Sequence, residues 1–428
     1  MKKKFLLLSM LACSLTIFAD KTIYVDPVNG SDLKNGLSWE NAIKSISSLP
    51  GMTPENELTI IQIKENSTME GFDNIDFGSK NIHLIIEGNN STIKGKSSDK
   101  RMFRIAGPES IVTFKNIIFR DKNTDGFNMG AVMIFVGKEF TAEGCQFINN
   151  SAQCGGAAIG CRAEKVTIRN CYFKDNRTTL PNQDSEGAAV MQCGKRGVMS
   201  YLLVENSAFE GNKVNIGSGS AIAFYDRTGD GKANVGDLCE VKIFNCTFFD
   251  NGANSPSANN VGSAVHFDYN MNYYGNKVPI DGVLVNNTFY GGAPAVSLEY
   301  NNRMWFINNV AVNYDPSDSS APVLKTDFNT TGQTTTGWNN VLIGRKMPAP
   351  ARELDFVTGT NGNIISQNLS DFSNLGLDDF LTKARSTEPF FVPYQAISDE
   401  NSPLVNTGLA RSNIYFYGEE IVPTSDIR

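Results

Sequence analysis

Charge is scarce in this chain of 428 residues: 19% are Asp, Glu, Lys or Arg, and they sum to −7. A nucleic-acid partner is therefore not expected, because binding phosphates needs an excess of Lys and Arg. Nor does the composition suggest a self-repelling disordered tail. Long hydrophobic runs are missing too: beyond the N-terminus no segment reaches about 18 uninterrupted apolar residues, so no membrane-spanning helix is expected. Histidine is confined to His83 and His266, and no CxxC or Cys/His spacing marks a zinc site. Tight Asn-Gly turns at the short spacing of a jelly roll or propeller are absent, which argues against those antiparallel folds.

What is present begins with an address. Lys2, Lys3 and Lys4 precede an apolar run from Phe5 to Phe18, and Ile17 and Ala19 fit a cleavage pattern before Asp20. Residues 1–19 read as an export signal, which places the protein outside the cell or on a bacterial surface. Met10-Leu11-Ala12-Cys13 is a poor lipobox, so lipidation at Cys13 is the lesser alternative. Removing the signal leaves Cys145, Cys154, Cys161, Cys171, Cys193, Cys239 and Cys246, an odd set. Export permits disulfides, but these residues lie inside repeats, where buried thiols acting as small apolar groups are expected.

The repeats dominate the rest of the chain. FKNIIFRDK, AEGCQFINN, IRNCYFKDN, VENSAFEGN, VKIFNCTFFDN and LVNNTFYGG align, and their first column reads Phe114, Ala142, Ile168, Val204, Ile243, Leu284. The next is mostly charged, which is the two-residue period of a strand. A third column, Asn116, Gly144, Asn170, Asn206, Asn245, Asn286, holds residues that tolerate left-handed backbone and marks a bend. Beyond it a small-residue column (Cys145, Cys171, Ser207, Cys246) is followed two residues on by Phe119, Phe147, Phe173, Phe209, Phe248 and Phe289. A second phrase, seen as GGAAI, EGAAV, SGSAI and VGSAV, forms another strand. The two alternate at a period of roughly 22 to 41 residues, a solenoid with loop insertions.

Coils stacked about 4.8 Å apart would place like on like, Phe on Phe and turn Asn on turn Asn, with amides bonding along the ladder. The expected fold is therefore all-β, a single-stranded parallel β-helix. Residues 20–54 would form an N-terminal cap, with a helix starting at Ser38 and burying Trp39, Ala42, Ile43 and Ile46. Regular coils would fill 55–313, and 314–428 would hold irregular coils and a C-terminal cap, cut before an anchoring segment or complete.

The GGA and FxxN phrases resemble the repeats of the polymorphic outer-membrane protein family, which are surface adhesins. YVDPVNGSDLKNGLSWENAIKSI, at the start of the mature chain, is similar to the opening of exported proteins of the pectate-lyase-like superfamily. These resemblances span residues 22 to about 313 and imply a right-handed helix. They are more specific for architecture than for activity.

DRTGDGKANVGD supplies the sharpest chemical motif. Asp226, Thr228, Asp230, the Lys232 carbonyl, Asn234 and Asp237 fall at positions 1, 3, 5, 7, 9 and 12 of a calcium loop, with Gly231 at the turn. It resembles the loop of dockerins, which also end on Asp. Thr at position 3 and Asp at position 12 favour weak Ca²⁺ binding, and the alternative is a metal-free polar turn between two strands.

Catalytic signals are thinner. The superfamily resemblance implies lyases with an Arg or Lys base beside calcium, or hydrolases with clustered aspartates and a His, yet no RxPxxR-like segment and no NTD…DD…GHG series occurs. Asp378 and Asp379 read as a surface turn. His266 alternates with inward residues and is expected to face outward, where it joins Asp268, Tyr269, Tyr273 and Tyr274 as a candidate ligand-binding surface. The reading is a monomeric, exported protein that binds a polysaccharide or surface protein without catalysis. The alternative is a calcium-dependent polysaccharide lyase or glycoside hydrolase acting on acidic polysaccharide.

Overall fold

A computed structural model of the chain describes residues 21–124, 126, 129–181, 185–195, 198–226, 239–255, 262–269, 280–291, 294–299, 302–313, 323–326, 334–344, 362–366, 415–416 and 419–420. Residues 1–19, expected to be an export signal, and with them Cys13 lie outside the described residues. Among the described residues twenty-seven strands join into one sheet whose pairings are all parallel, as a parallel β-helix requires. Each strand pairs with its equivalent one coil away: Phe147 with Phe173, Phe173 with Phe209, Phe209 with Phe248, and Phe248 with Phe289. A smaller parallel sheet joins Ser151–Ala152, Arg177–Thr178, Lys213–Val214 and Gly252–Ala253.

The columns read from the sequence fill the interior. Phe147, Phe173, Phe209, Phe248 and Phe289 are buried in one stack, with successive centroids 4.8, 4.7, 5.0 and 4.6 Å apart and planes within 6°. Coil spacing fixes that separation, because each ring rides on a strand hydrogen-bonded to the next. The bend is left-handed, with φ of 51, 52, 49, 54 and 57° at Asn116, Asn170, Asn206, Asn245 and Asn286, and 63° at Gly144.

The amide ladder is real but sits elsewhere than expected. It is built by the last Asn of each FxxN phrase, Asn150, Asn176, Asn212 and Asn251, whose buried side chains bond from coil to coil at 2.9–3.0 Å. Each of these amides also donates to the carbonyl of the phenylalanine one coil back. The turn asparagines bend the chain instead. A second ladder, Asn287, Asn309, Asn340 and Asn363, continues the small-residue column. It accompanies strand pairing that runs on past Asn313, through Val341–Gly344 to Ile364–Ser366.

The expected cap helix from Ser38 does not form. Ser38 Oγ accepts from Asn41 N in a turn, and Ile43 is extended, its N–H donating to Tyr24 O while its carbonyl accepts from Asp26 N. Gly36 O accepts from Tyr24 N. These segments cover the otherwise bare edge of the first strand, Lys21–Val25, and an α-helix could not offer its backbone to that edge. The helical turns come later, Ile46–Ser48 and Leu49–Met52, with Ser45 as N-cap. Ala42, Ile43 and Ile46 are buried as expected, whereas Trp39 is 40% exposed and packs on Tyr24.

Cys145, Cys154, Cys161, Cys171 and Cys246 are free thiols, and Cys193 neighbours Cys161 as a further thiol. Burial raises the Cys161 and Cys171 thiols well above their usual value and pushes Cys246 up to about 12. Such thiols are protonated and shielded, hence inert. Cys154 is half-buried. Mass spectrometry after brief alkylation of the native protein at neutral pH is expected to find Cys154 modified ahead of Cys145, Cys161, Cys171 and Cys246, all of which react once guanidinium unfolds the chain. Equal native labelling of Cys171 and Cys154 would contradict the packing.

Candidate functional site

The GGA phrase determines where chemistry can be displayed. Its glycines turn the chain into the strand with φ of 72, 61, 60, 67 and 68° at Gly130, Gly156, Gly187, Gly219 and Gly262, values that disfavour a side chain. In the strands that follow, Phe103, Ile105, Val265 and Phe267 enter the core, and the intervening residues face away from it. Two columns line that outer face. One carries Arg104, Ile134, Gly160, Met191, Ala223, His266 and Ser297 in successive coils. The other carries Val136, Arg162, Cys193, Tyr225 and Asp268.

The corner at the end of these strands differs from coil to coil. Met133–Glu143 and Ile159–Arg169 run unbroken through the corner, whereas Ile222–Asp226 and Val265–Tyr269 stop there before the chain resumes at Cys239–Phe244 and Ile280–Val285. Asp226 and Tyr269 are direct partners in the ladder, so the calcium-type loop and the tyrosine-rich loop leave from adjacent positions. Thr228, Asp230, Lys232, Asn234, Asp237, Tyr273 and Tyr274 lie outside the described residues, as do Asp378 and Asp379.

At the early end of the face, Arg101, Arg104 and Arg162 surround a recess of about 210 Å³ floored by Ile105, Ala106, Met129, Ile134 and Val136. Arg104 reaches Asp76 at 3.0 and 3.3 Å, and Arg101 Nε donates to Met129 O at 2.6 Å. Arg162 is exposed and makes no ion pair among the described residues. Burial and the nearby Arg104 charge lower the Arg101 pKa. A bound anion in the recess would favour the charged form of Arg101 and pair with Arg162.

A second group gathers between one and three coils beyond Arg162, His266 and Asp268 lying roughly 14 Å along the axis. His266 and Asp268 come together as the sequence suggested, and Glu186 joins them: one ligand-type atom from each lies within 4.8 Å of the others. His266 Nδ1 is 2.6 Å from Ser297 Oγ, which is 2.5 Å from Ser263 Oγ, and that hydroxyl accepts from Gly219 N at 3.3 Å. His266 Nε2 lies 3.9 Å from Glu299 Oε1. The expectation of an outward, accessible His266 is corrected here. Its strand parity is outward, but it is only 3% exposed because the backbone at Gly219 packs directly on it; a Cβ there would lie 2.9 Å from the Cβ of His266. Asp268 is 9% exposed. Alternation gives the side of the sheet, while a neighbouring segment decides whether water reaches it.

Sequence reasoning missed Glu186 and the arginines. Glu186 had one signal: aligned on the GGA phrase its column reads Met129, Gly155, Glu186, Ser218, so it is a lone charge among uncharged residues. The arginines gave none, since charge is ordinary at outward positions.

No protein-family model and no curated protein matches the chain. Among solved structures it is similar to a rhamnogalacturonan lyase, at 12% identity and a TM-score of 0.37, over 88% of this chain and 95% of that one, a likeness too slight to bear on chemistry.

Proposed function

We propose that the protein is an exported, right-handed parallel β-helix that binds an acidic glycan at the cell surface or outside the cell, without catalysis and as a monomer. The observation that supports this is the recess of Arg101, Arg104 and Arg162, a concentration of positive charge on a chain whose net charge is −7. Guanidinium forks match the two oxygens of a carboxylate, and the uronate groups of a polysaccharide present such oxygens at regular intervals. Right-handed winding is the sense that parallel crossovers almost always take.

Calorimetry with oligogalacturonate is the test. Binding is expected to weaken about 10- to 100-fold in Arg162→Ala, the loss of one charge-assisted hydrogen bond, and to fall with added salt. A neutral glucan should not bind. Unchanged affinity in both Arg162→Ala and Arg104→Ala would reject the recess as the site. Growth of ultraviolet absorbance from unsaturated uronate during incubation would instead establish the lyase alternative.

Calcium at Asp226, Thr228, Asp230, Lys232, Asn234 and Asp237 belongs to the same proposal, as a local ordering of the loop and not a condition of folding, because the flanking strands already have their partners. Ca²⁺ at ten times its Kd should stabilise the fold by about 1.4 kcal/mol. The corresponding rise in melting temperature should vanish in Asp230→Ala. Melting indifferent to calcium in the parent protein would leave a metal-free polar turn.

A further inference from the structure

The group at Glu186, His266 and Asp268 differs in chemistry from both the arginine recess and the oxygen-only calcium motif. It offers one imidazole nitrogen and two carboxylates, contributed by coils that begin at Glu186 and at Gly262 and so lie two coil steps apart. We propose that these three side chains bind a divalent transition-metal ion, with Zn²⁺ the best match, through His266 Nε2 and one oxygen each from Glu186 and Asp268.

The hydroxyls beside the imidazole can hold it for this. The Gly219 N–H donates to Ser263 Oγ, and a relay in which His266 Nδ1–H donates to Ser297 Oγ and Ser297 donates to Ser263 satisfies each contact in turn. In this direction the relay holds the proton on Nδ1 and leaves the Nε2 lone pair for a metal; the contacts equally admit the reverse direction, and a metal on Nε2 would select the first. A metal-binding histidine is held in the same way, its second nitrogen donating to an oxygen that fixes tautomer and ring orientation. His266 is 3% exposed, its Cβ lies close under Gly219, and Ser297 Oγ is 2.6 Å from Nδ1, which limits turning of the ring.

The distances are those of a site within reach of closure. Ligand atoms about 2.1 Å from a tetrahedral ion lie roughly 3.4 Å apart. The three here lie within 4.8 Å, and Glu186, the least buried of them, can swing by the difference. Two carboxylates held this close repel one another, and a divalent cation converts that cost into attraction. The donor set decides the kind of ion: Ca²⁺ and Mg²⁺ take oxygen alone, whereas imidazole with carboxylate suits Zn²⁺ and its first-row neighbours. Three protein ligands leave a fourth position for water or for an oxygen of a bound solute, with Glu299 at its edge. This inference stands apart from the glycan proposal and survives its failure.

Chelator-stripped protein carrying Cys154→Ser, which removes the half-exposed thiol, is titrated with ZnCl₂ and separately with MnCl₂ in the presence of saturating Ca²⁺. One equivalent of Zn²⁺ is expected to bind, and Co²⁺ in its place should give the visible d–d bands of nitrogen and oxygen ligation. Ser297→Ala should weaken Zn²⁺ about 10- to 100-fold, the usual effect of freeing a ligand from its orienting partner. Glu186→Gln, nearly isosteric and only partly buried, should weaken it at least as much and abolish the Co²⁺ bands, with circular dichroism and the Ca²⁺ response unchanged. Absence of stoichiometric Zn²⁺ binding in the parent, or parental affinity in both Glu186→Gln and Asp268→Asn, would overturn the proposal.

Discussion

Replacing Phe173 by alanine should lower the unfolding free energy by about 3 to 5 kcal/mol, the range for emptying a buried aromatic site. The upper part of that range is favoured by geometry. Phe173 lies between Phe147 and Phe209, 4.8 and 4.7 Å from their centroids and parallel to both within 6°. A cavity in a globular core shrinks when neighbours move in, but here the neighbours are held one coil apart by the hydrogen bonds of Tyr172–Lys174 to the strands on either side. The gap therefore stays open, and two stacking contacts are lost with the buried area. Urea denaturation followed by circular dichroism should show a lower midpoint at unchanged slope. Phe249, which stacks on Tyr290 away from the core and is only partly buried, is the control: Phe249→Ala should cost much less. Equal effects at the two positions would refute the internal stack.

Asn212→Ala should come close to that in effect, although it removes far less apolar surface. The Asn212 side chain accepts from the backbone and the amide of Asn176 at 3.1 and 2.9 Å, and donates to Phe173 O and Asn251 Oδ1 at 3.0 and 2.9 Å. Every partner is buried. Alanine strands two donors on Asn176, each costing about 1 to 3 kcal/mol when left unpaired away from water. A total of roughly 2 to 6 kcal/mol follows. Hydrogen exchange offers a local readout, since the Asn176 amide should lose protection ahead of amides in the first coils. Protection at Asn176 unaltered in Asn212→Ala would mean that the ladder contributes little.

Much of the candidate site was half legible. His266 and Asp268 could be paired by eye because they share one strand, two residues apart, and so the same face. Glu186 could not, being 80 residues earlier. Only the stacking of coils and the side-chain reach between them bring it there. The arginines of the recess were illegible for a related reason: Arg101 and Arg104 lie three residues apart on one coil, but Arg162 comes from a coil two steps on, and only stacking brings it to them.

The sequence by itself determined the coil. A repeat that places Phe at one column and Asn or Gly at the bend column has a single arrangement that buries the first and turns at the second, and parallel stacking then makes each residue's neighbour its own counterpart. Pairing, core and bends were readable because they obey that local rule. The tertiary structure decided what has no counterpart in the next coil. Ile43 is extended although its spacing suits a helix, because the edge of Lys21–Val25 needs backbone partners. The buried amides belong to Asn176 and Asn212, which face along the axis, while Asn170 and Asn206 spend their backbone on the turn. His266 is covered because Gly219 of the neighbouring coil lies over it. Periodicity encodes contacts that repeat, and contacts made once, by caps, insertions and close backbone approaches, are set only when the whole chain is folded.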